Sequence, residues 1–157
     1  TKGISIKWPN DIYWNEKKIC GILIENDLSG HHIGRSISGI GVNINQETFR
    51  SDAPNPVSLK QITGQEHERY LILANIMRRL KEYYILLQTA SSGNAANCIA
   101  ERYARSLFRR EGFHRYADAD GEFLARLLCV EPDGRFILED QAGKVRGYLF
   151  KEVQYIL

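Results

Sequence analysis

Apolar and polar positions alternate over residues 3–8. Ile4, Ile6 and Trp8 fall on one face and Ser5 and Lys7 on the other, which is the period of a strand. Pro9-Asn10-Asp11 ends it, because proline cannot donate to a central ladder. Ile12-Tyr13-Trp14 resumes an extended run, Asn15-Glu16 reads as a turn, and Lys18–Glu25 is expected to fold back as a hairpin partner. The stretch Ile19 to Ile24 is continuously apolar, the pattern of a strand covered on both faces. A turn over Asn26–Gly30 leads into a third strand, Ile33–Asn45. There Ile40, Val42 and Ile44 oppose Gly39, Gly41, Asn43 and Asn45. A glycine and asparagine face marks a bulge or a place where something approaches the backbone closely.

Beyond it, residues 46–65 read as a loop containing Pro54 and Pro56. Glu66–Gln88 reads as a long helix with an apolar stripe of Leu71, Ala74, Ile76, Leu80, Tyr83, Tyr84 and Leu87. After a break at Ser91-Ser92-Gly93, Asn94–Arg110 reads as a second helix that buries Ile99, Tyr103, Leu107 and Phe108. The period then changes. Strands are expected at His114–Ala117, Gly121–Val130, Arg135–Glu139, Val145–Leu149 and Val153–Ile156, separated by Asp/Gly-rich turns. Such regular spacing predicts a small barrel. The fold class is α+β, with units over residues 1–110 and 113–157.

The chain has 157 residues, 43% of them apolar and 25% charged, which predicts a soluble folded protein. No apolar run approaches the ~20 residues of a membrane-spanning helix, and the first residues lack the apolar core of a signal peptide. The net charge of +2 makes no electrostatic case for nucleic acid. The basic cluster over Arg102–Arg115 reads as a solvated helix face and turn. Cys20, Cys98 and Cys129 are odd in number and widely spaced. They are expected to be small buried hydrophobes in a reducing cytoplasm. His31 and His32 have no matching ligand set nearby for a metal.

Three segments carry chemistry: Lys7-Trp8-Pro9-Asn10-Asp11, Lys18-Ile19-Cys20-Gly21-Ile22-Leu23-Ile24-Glu25, and Gly39-Ile40-Gly41-Val42-Asn43-Ile44-Asn45. Paired as a meander, they would converge on one sheet face. Lys7 and Lys18 are suited to neutralising phosphate or carboxylate charge. Asp11 is suited to Mg²⁺, which takes one or two carboxylates plus substrate phosphates. Asn10 and Asn43 can orient a nucleotide, and Gly21 and Gly41 can bring backbone amides to a ligand. Taken singly, each segment is equally readable as strand ends and an ordinary turn.

In their order and spacing the three segments together resemble the biotin protein ligase family. The resemblance implies a partial class II aminoacyl-tRNA synthetase-like mixed sheet with helices, then an SH3-like barrel. It also implies the activity: ATP and Mg²⁺ convert biotin to biotinyl-adenylate, and the biotinyl group passes to a lysine of the biotin carboxyl carrier domain of a carboxylase. Carried over by motif, Lys18 contacts the biotin carboxylate and the α-phosphate, and Asp11 shares the catalytic role and is the Mg²⁺ candidate. Lys7, Asn10, Gly41 and Asn43 serve the nucleotide, and Gly21 and Ile22 line the biotin pocket. The family's Gly/Arg-rich biotin loop has no match in residues 1–157, nor does a DNA-binding helix-turn-helix. The expectation is therefore a fragment, inactive or weak alone, with exposed apolar surface and a sheet edge open to a homodimer contact. Two other readings stay open. One is a lipoate ligase-like acyl-adenylating enzyme. The other is a non-catalytic module whose Tyr116, Phe123, Phe136, Tyr148 and Phe150 form a partner patch instead of a barrel core.

Overall fold

The computed structural model describes residues 3–30, 32–50, 54–89 and 94–157. Thr1, Lys2, His31 and the break at Ser91-Ser92-Gly93 lie outside them. The first four strands, β1 (Ile4–Lys7), β2 (Asp11–Trp14), β3 (Lys17–Ser29) and β4 (His32–Val42), form one antiparallel meander in the order β1-β2-β3-β4. Asn15, in the left-handed region at φ 51°, makes the tight turn between Trp14 and Lys17. The turn expected over Asn26–Gly30 is shorter than predicted. Asn26–Ser29 stay in the ladder, with Asp27 opposite Arg35 and ion-paired to it, so β3 runs longer than expected, whereas β4 gains His32 but stops at Val42, leaving Asn43 and Asn45 beyond its end.

Ile12, Trp14, Ile22 and Val42 pack round Ile19, Cys20 and Val57, with Leu59 and Ile62 from below. Those last two belong to α1 (Leu59–Thr63), a short helix inside the stretch expected to be loop. Its signal was Ser58 followed three residues later by Gln61. Ser58 is fully buried and caps the Gln61 N–H, and the Gln61 side chain returns to the Ser58 N–H. Gly64, left-handed at φ 77°, ends the helix.

α2 (Arg69–Thr89) and α3 (Asn94–Arg105) follow, joined by an Arg102-to-Tyr83 hydroxyl hydrogen bond of 2.8 Å. α3 stops five residues earlier than expected, and Leu107 and Phe108 leave it to run beside β1. There Phe108 N–H donates to the Ile6 carbonyl, and Ile6 N–H to Ser106. The apolar residues of α2 are not a buried stripe. Leu71, Tyr84 and Leu87 are mostly exposed, and so are Leu73 and Met77 on other sides. The coverage expected on both faces of β3 is likewise incomplete. Leu23 and Ile24 are more than half exposed, as are Leu28, Ile33 and Ile37 along the same hairpin. No second strand pairs with the outer edge of β4 among the described residues.

The second sheet holds β5 (His114–Asp118), β6 (Gly121–Val130), β7 (Phe136–Asp140), β8 (Val145–Tyr148) and β9 (Gln154–Tyr155), in the order β8-β7-β6-β5-β9. Its ends do not pair, so the predicted barrel is open. Tyr116, Phe136 and Leu138 are fully buried, with Tyr148 and Phe123 packed beside them, while Phe150 is exposed. Four of the five aromatic residues in question are therefore core. Tyr148 donates 2.6 Å to Asp118, which Arg146 also approaches at 3.3 Å. The Tyr148 bond first, then the Asp120 N–H and the neighbouring Arg146, hold the Asp118 carboxyl below its ordinary range against the opposing effect of burial. Of the cysteines only Cys20 is buried. Cys98 and Cys129 are exposed, against expectation, because each sits on the outward side of an amphipathic element.

The two sheets meet through Trp8. It leaves the face of Ile4 and Ile6 just past the strand end and enters the second core. There its ring stacks on Phe136 at 4.9 Å, and its indole N–H donates 3.0 Å to the Gly134 carbonyl.

Candidate active site

Lys7, Asp11, Gly21 and Gly41 lie on one rung across all four strands of the first sheet, each opposite the next. Side chains alternate along a strand, so Lys18 and Gly21, three residues apart, would ordinarily face opposite sides. The ladder instead pairs Ile12 with Cys20 and Tyr13 with Lys18, leaving Ile19 as the extra residue of a bulge. That one residue returns Lys18 to the face of Asp11 and Gly21. The Lys18 Nζ then reaches Asp11 Oδ1 at 2.7 Å, with both side chains about a quarter exposed.

Gly21 makes the approach feasible. A Cβ there would lie 3.1 Å from Lys18 Cε, 3.2 Å from its Nζ and 3.5 Å from Asp11 Oδ1. The backbone around the bulge is tied on both sides. Lys18 N–H donates to Asn55, Val57 N–H to the Lys18 carbonyl, and Asn43 N–H to the Ile19 carbonyl. The Asn43 amide reaches the Lys18 carbonyl at 3.4 Å. On the other flank, the Ile22 N–H donates to the Asn10 carbonyl and the Asn10 side-chain amide donates to the Ile22 carbonyl.

Lys7, Asn10, Asp11 and Lys18 line a single cavity of about 510 Å³. Of the remaining residues singled out from the sequence, Gly21 abuts the Lys18–Asp11 pair. Gly41 sits one strand further along the rung. Asn43 touches the Lys18 backbone. Ile22 turns its side chain to the opposite face, among Ile19, Cys20 and Val57.

Lys7 lies over the rings of Tyr13 and Tyr155, at 5.3 and 4.7 Å from their centroids. Burial lowers its pKa, Asp11 opposes that shift, and Lys18 and Arg109 add to it. Burial pushes the Tyr13 phenol up, with the Asp11 charge adding to it. Burial also raises the Cys20 thiol, so it is not poised as a nucleophile. Asp11 is the sole carboxylate among the cavity's lining residues, and among the described residues no three acidic, histidine or cysteine side chains gather as a metal cage. Asp11 would hold a cation only as one ligand alongside phosphate oxygens.

The other wall was not foreseen. Phe150, Lys151, Val153, Gln154 and Tyr155, from the end of the second sheet, face the motif residues across the cavity, with Pro54 beside them. Nothing in the local sequence marks these residues. They reach the cavity because Trp8 and Arg109 dock the second sheet there. Arg109, expected on a solvated face, donates to the carbonyls of Arg115 and Ile156 and lies 3.7 Å from Glu16.

A sequence profile described as the Biotin/lipoate A/B protein ligase family matches residues 2–43, the stretch that holds the lysine, aspartate and both rung glycines. The chain is 30% identical over 148 residues to the bifunctional ligase/repressor BirA of Bacillus spizizenii, covering 91% of this chain and 44% of that protein. It is also 30% identical over 148 residues to the biotin–[acetyl-CoA-carboxylase] ligase of Paracoccus denitrificans, covering 90% and 59%. The chain thus spans about half the length of these relatives. Among solved structures, biotin protein ligase from Aquifex aeolicus superposes with a TM-score of 0.71 at 24% identity, over 96% of this chain and 64% of that one. The same Aquifex aeolicus enzyme in complex with biotin and ATP gives 0.70 at 22% identity, over 98% and 62%. At that identity the likeness speaks to the fold. Motifs, profile and architecture agree: residues 2–43 match the biotin/lipoate A/B protein ligase family, and about nine-tenths of the chain is similar to part of the biotin protein ligases named above.

Proposed function

We propose that this chain supplies the lysine-and-aspartate half of an ATP-dependent biotin protein ligase, acting in the cytoplasm. In this reading residues 1–110 are the C-terminal portion of the catalytic domain and 113–157 an SH3-like terminal domain. The single observation that carries it is the Lys18–Asp11 pair at 2.7 Å, facing a cavity that Lys7 and Asn10 share.

Joining a carboxylate to an α-phosphate brings two anions together. A lysine fixed between them offsets the repulsion and stabilises the charge that develops on the phosphate. The biotin carboxylate oxygen bonds to the α-phosphorus, the bond to pyrophosphate breaks, and biotinyl-adenylate remains. A neutral lysine amine of a biotin carboxyl carrier domain then attacks the acyl carbon, and AMP departs. Asp11 orients that amine or accepts its proton. Mg²⁺, when bound with the phosphates, supplies charge neutralisation for pyrophosphate departure, and Asp11 is the residue that would hold it. Asn10 and Asn43 position strand β3 under the nucleotide. Gly21 and Gly41 keep the rung clear for substrate, and the Ile22 backbone borders biotin. The long free edge of β4 is the contact for a second copy.

The test is adenylate formation from labelled ATP by the complete gene product, with biotin or lipoate as the acid. Biotinyl-AMP formed in preference to lipoyl-AMP supports the reading. Lipoyl-AMP in preference assigns the chain to the lipoate branch of the family, and no acyl-adenylate with either acid overturns the enzyme reading.

A further inference from the structure

We propose that Lys151, from the second sheet, holds the phosphate chain of the nucleotide from the wall opposite Lys7 and Lys18. This rests on the adenylating function above and extends it. The terminal sheet becomes part of the reacting centre, not an appended binding module.

The cavity's charge points there. Its lining holds Lys7, Lys18 and Lys151 against Asp11 alone, three positive groups and one negative, a formal +2. Asp11 is already engaged by Lys18. Lys151 has no carboxylate within ion-pair distance among the described residues, and its ammonium lies 5.5 Å from the Phe150 ring centre. The adjacent acid is turned away, because the Glu152 carboxylate accepts 2.7 Å from the Leu149 N–H. Glu152 N–H in turn donates to the Leu149 carbonyl, closing a tight turn. In that turn Lys151 sits at φ 74°, the left-handed region where glycine is at ease and a long side chain is not. A turn with no further duty has no use for lysine there. Strain of this kind at a cavity rim points to a ligand. A lining with three lysines and one carboxylate carries a surplus of positive charge that a polyanion would neutralise. A triphosphate or pyrophosphate meets that requirement, whereas the adenylate, with a single phosphate charge, meets it poorly.

The experiment uses the complete gene product and titration calorimetry with four probes: ATP, pyrophosphate, adenosine and biotin. Lys151→Gln is expected to weaken ATP and pyrophosphate about tenfold or more, the usual scale of a lost charge-assisted hydrogen bond. Adenosine and biotin should bind as in the wild type, and Lys151→Arg should restore the phosphate probes. Lys151→Gly should show the same loss together with a raised melting temperature, since glycine relieves the left-handed turn; a merely structural role cannot give both. Unchanged ATP and pyrophosphate binding in Lys151→Gln, or an equal loss for all four probes, overturns the proposal. If the wild type binds neither ATP nor pyrophosphate, the adenylating function itself fails and this assignment falls with it.

Discussion

Replacing Gly21 by alanine isolates the geometry of the Lys18–Asp11 pair from the stability of the fold. The new methyl would sit 3.1–3.2 Å from the end of the Lys18 side chain and at an ordinary contact distance of 3.5 Å from Asp11 Oδ1, so the Lys18 tip must move by a few tenths of an ångström relative to Asp11. The moving atoms are the tip of one flexible, partly exposed side chain, which relaxes at little cost. Gly21 is also outside the left-handed region, so alanine fits its backbone and removes freedom from the unfolded chain, worth about 0.4–1 kcal/mol in favour of folding. The melting temperature should therefore stay within roughly 4 °C of the wild type. Catalysis is far less forgiving. A misplacement of about 1 Å commonly costs ~10²-fold, so tenths of an ångström should slow adenylate formation roughly 3- to 10-fold. Gly21→Val, whose branched side chain cannot avoid the pair, should cost ~10²–10³-fold, as does loss of one such electrostatic contact. The assay is single-turnover formation of biotinyl-adenylate beside a thermal melt. Wild-type rates in both variants, or a melting temperature that collapses while the residual folded enzyme works normally, would refute the spacer role.

Lys18→Ala should lower adenylation ~10²–10³-fold with an unchanged melt, and a near wild-type rate would remove Lys18 from the chemistry. Trp8→Ala should destabilise by about 3–5 kcal/mol through loss of a buried ring and its stacking on Phe136, read by denaturant unfolding. Ser58→Ala should cost about 1–2 kcal/mol, because it frees a helix-cap N–H and the Gln46 carbonyl that the buried Ser58 hydroxyl now satisfies. Asp118 has a folded pKa below its ordinary value, so its contribution to stability is complete above about pH 4 and is lost as pH falls through the lowered value. Tyr148→Phe removes the largest cause of that shift, so melts between pH 2 and 7 should show a shallower acid-side fall in the variant.

The meander and most strand limits of the second sheet were legible because period-two alternation and Asp/Gly turns are local signals. Lys7, Asn10, Asp11 and Lys18 were legible as a group for the same reason: each lies at or next to a strand end, and antiparallel pairing brings strand ends together. Three features were not. The bulge at Ile19, which sets the facing of Lys18, depends on a register that no single strand encodes. The helix at Leu59–Thr63 was hidden by its brevity, although Ser58 and Gln61 spelled its cap. The wall formed by Phe150 to Tyr155 is a product of long-range docking, with more than 140 residues between Lys7 and the ring of Tyr155 it lies over. The wrong expectation for α2 shares that origin: apolar residues foretell burial only when something covers them.

Trp8 sits between Lys7 and Asn10, two residues of the cavity, yet its ring is spent on fastening the sheets together. A mutational scan scored by product alone would count it among the reacting groups, since loosening the joint removes the far wall together with its lysine. Read beside a melting curve, the same loss would look like a hinge pin withdrawn: every group on the first sheet still in register, and no chamber left for them to face.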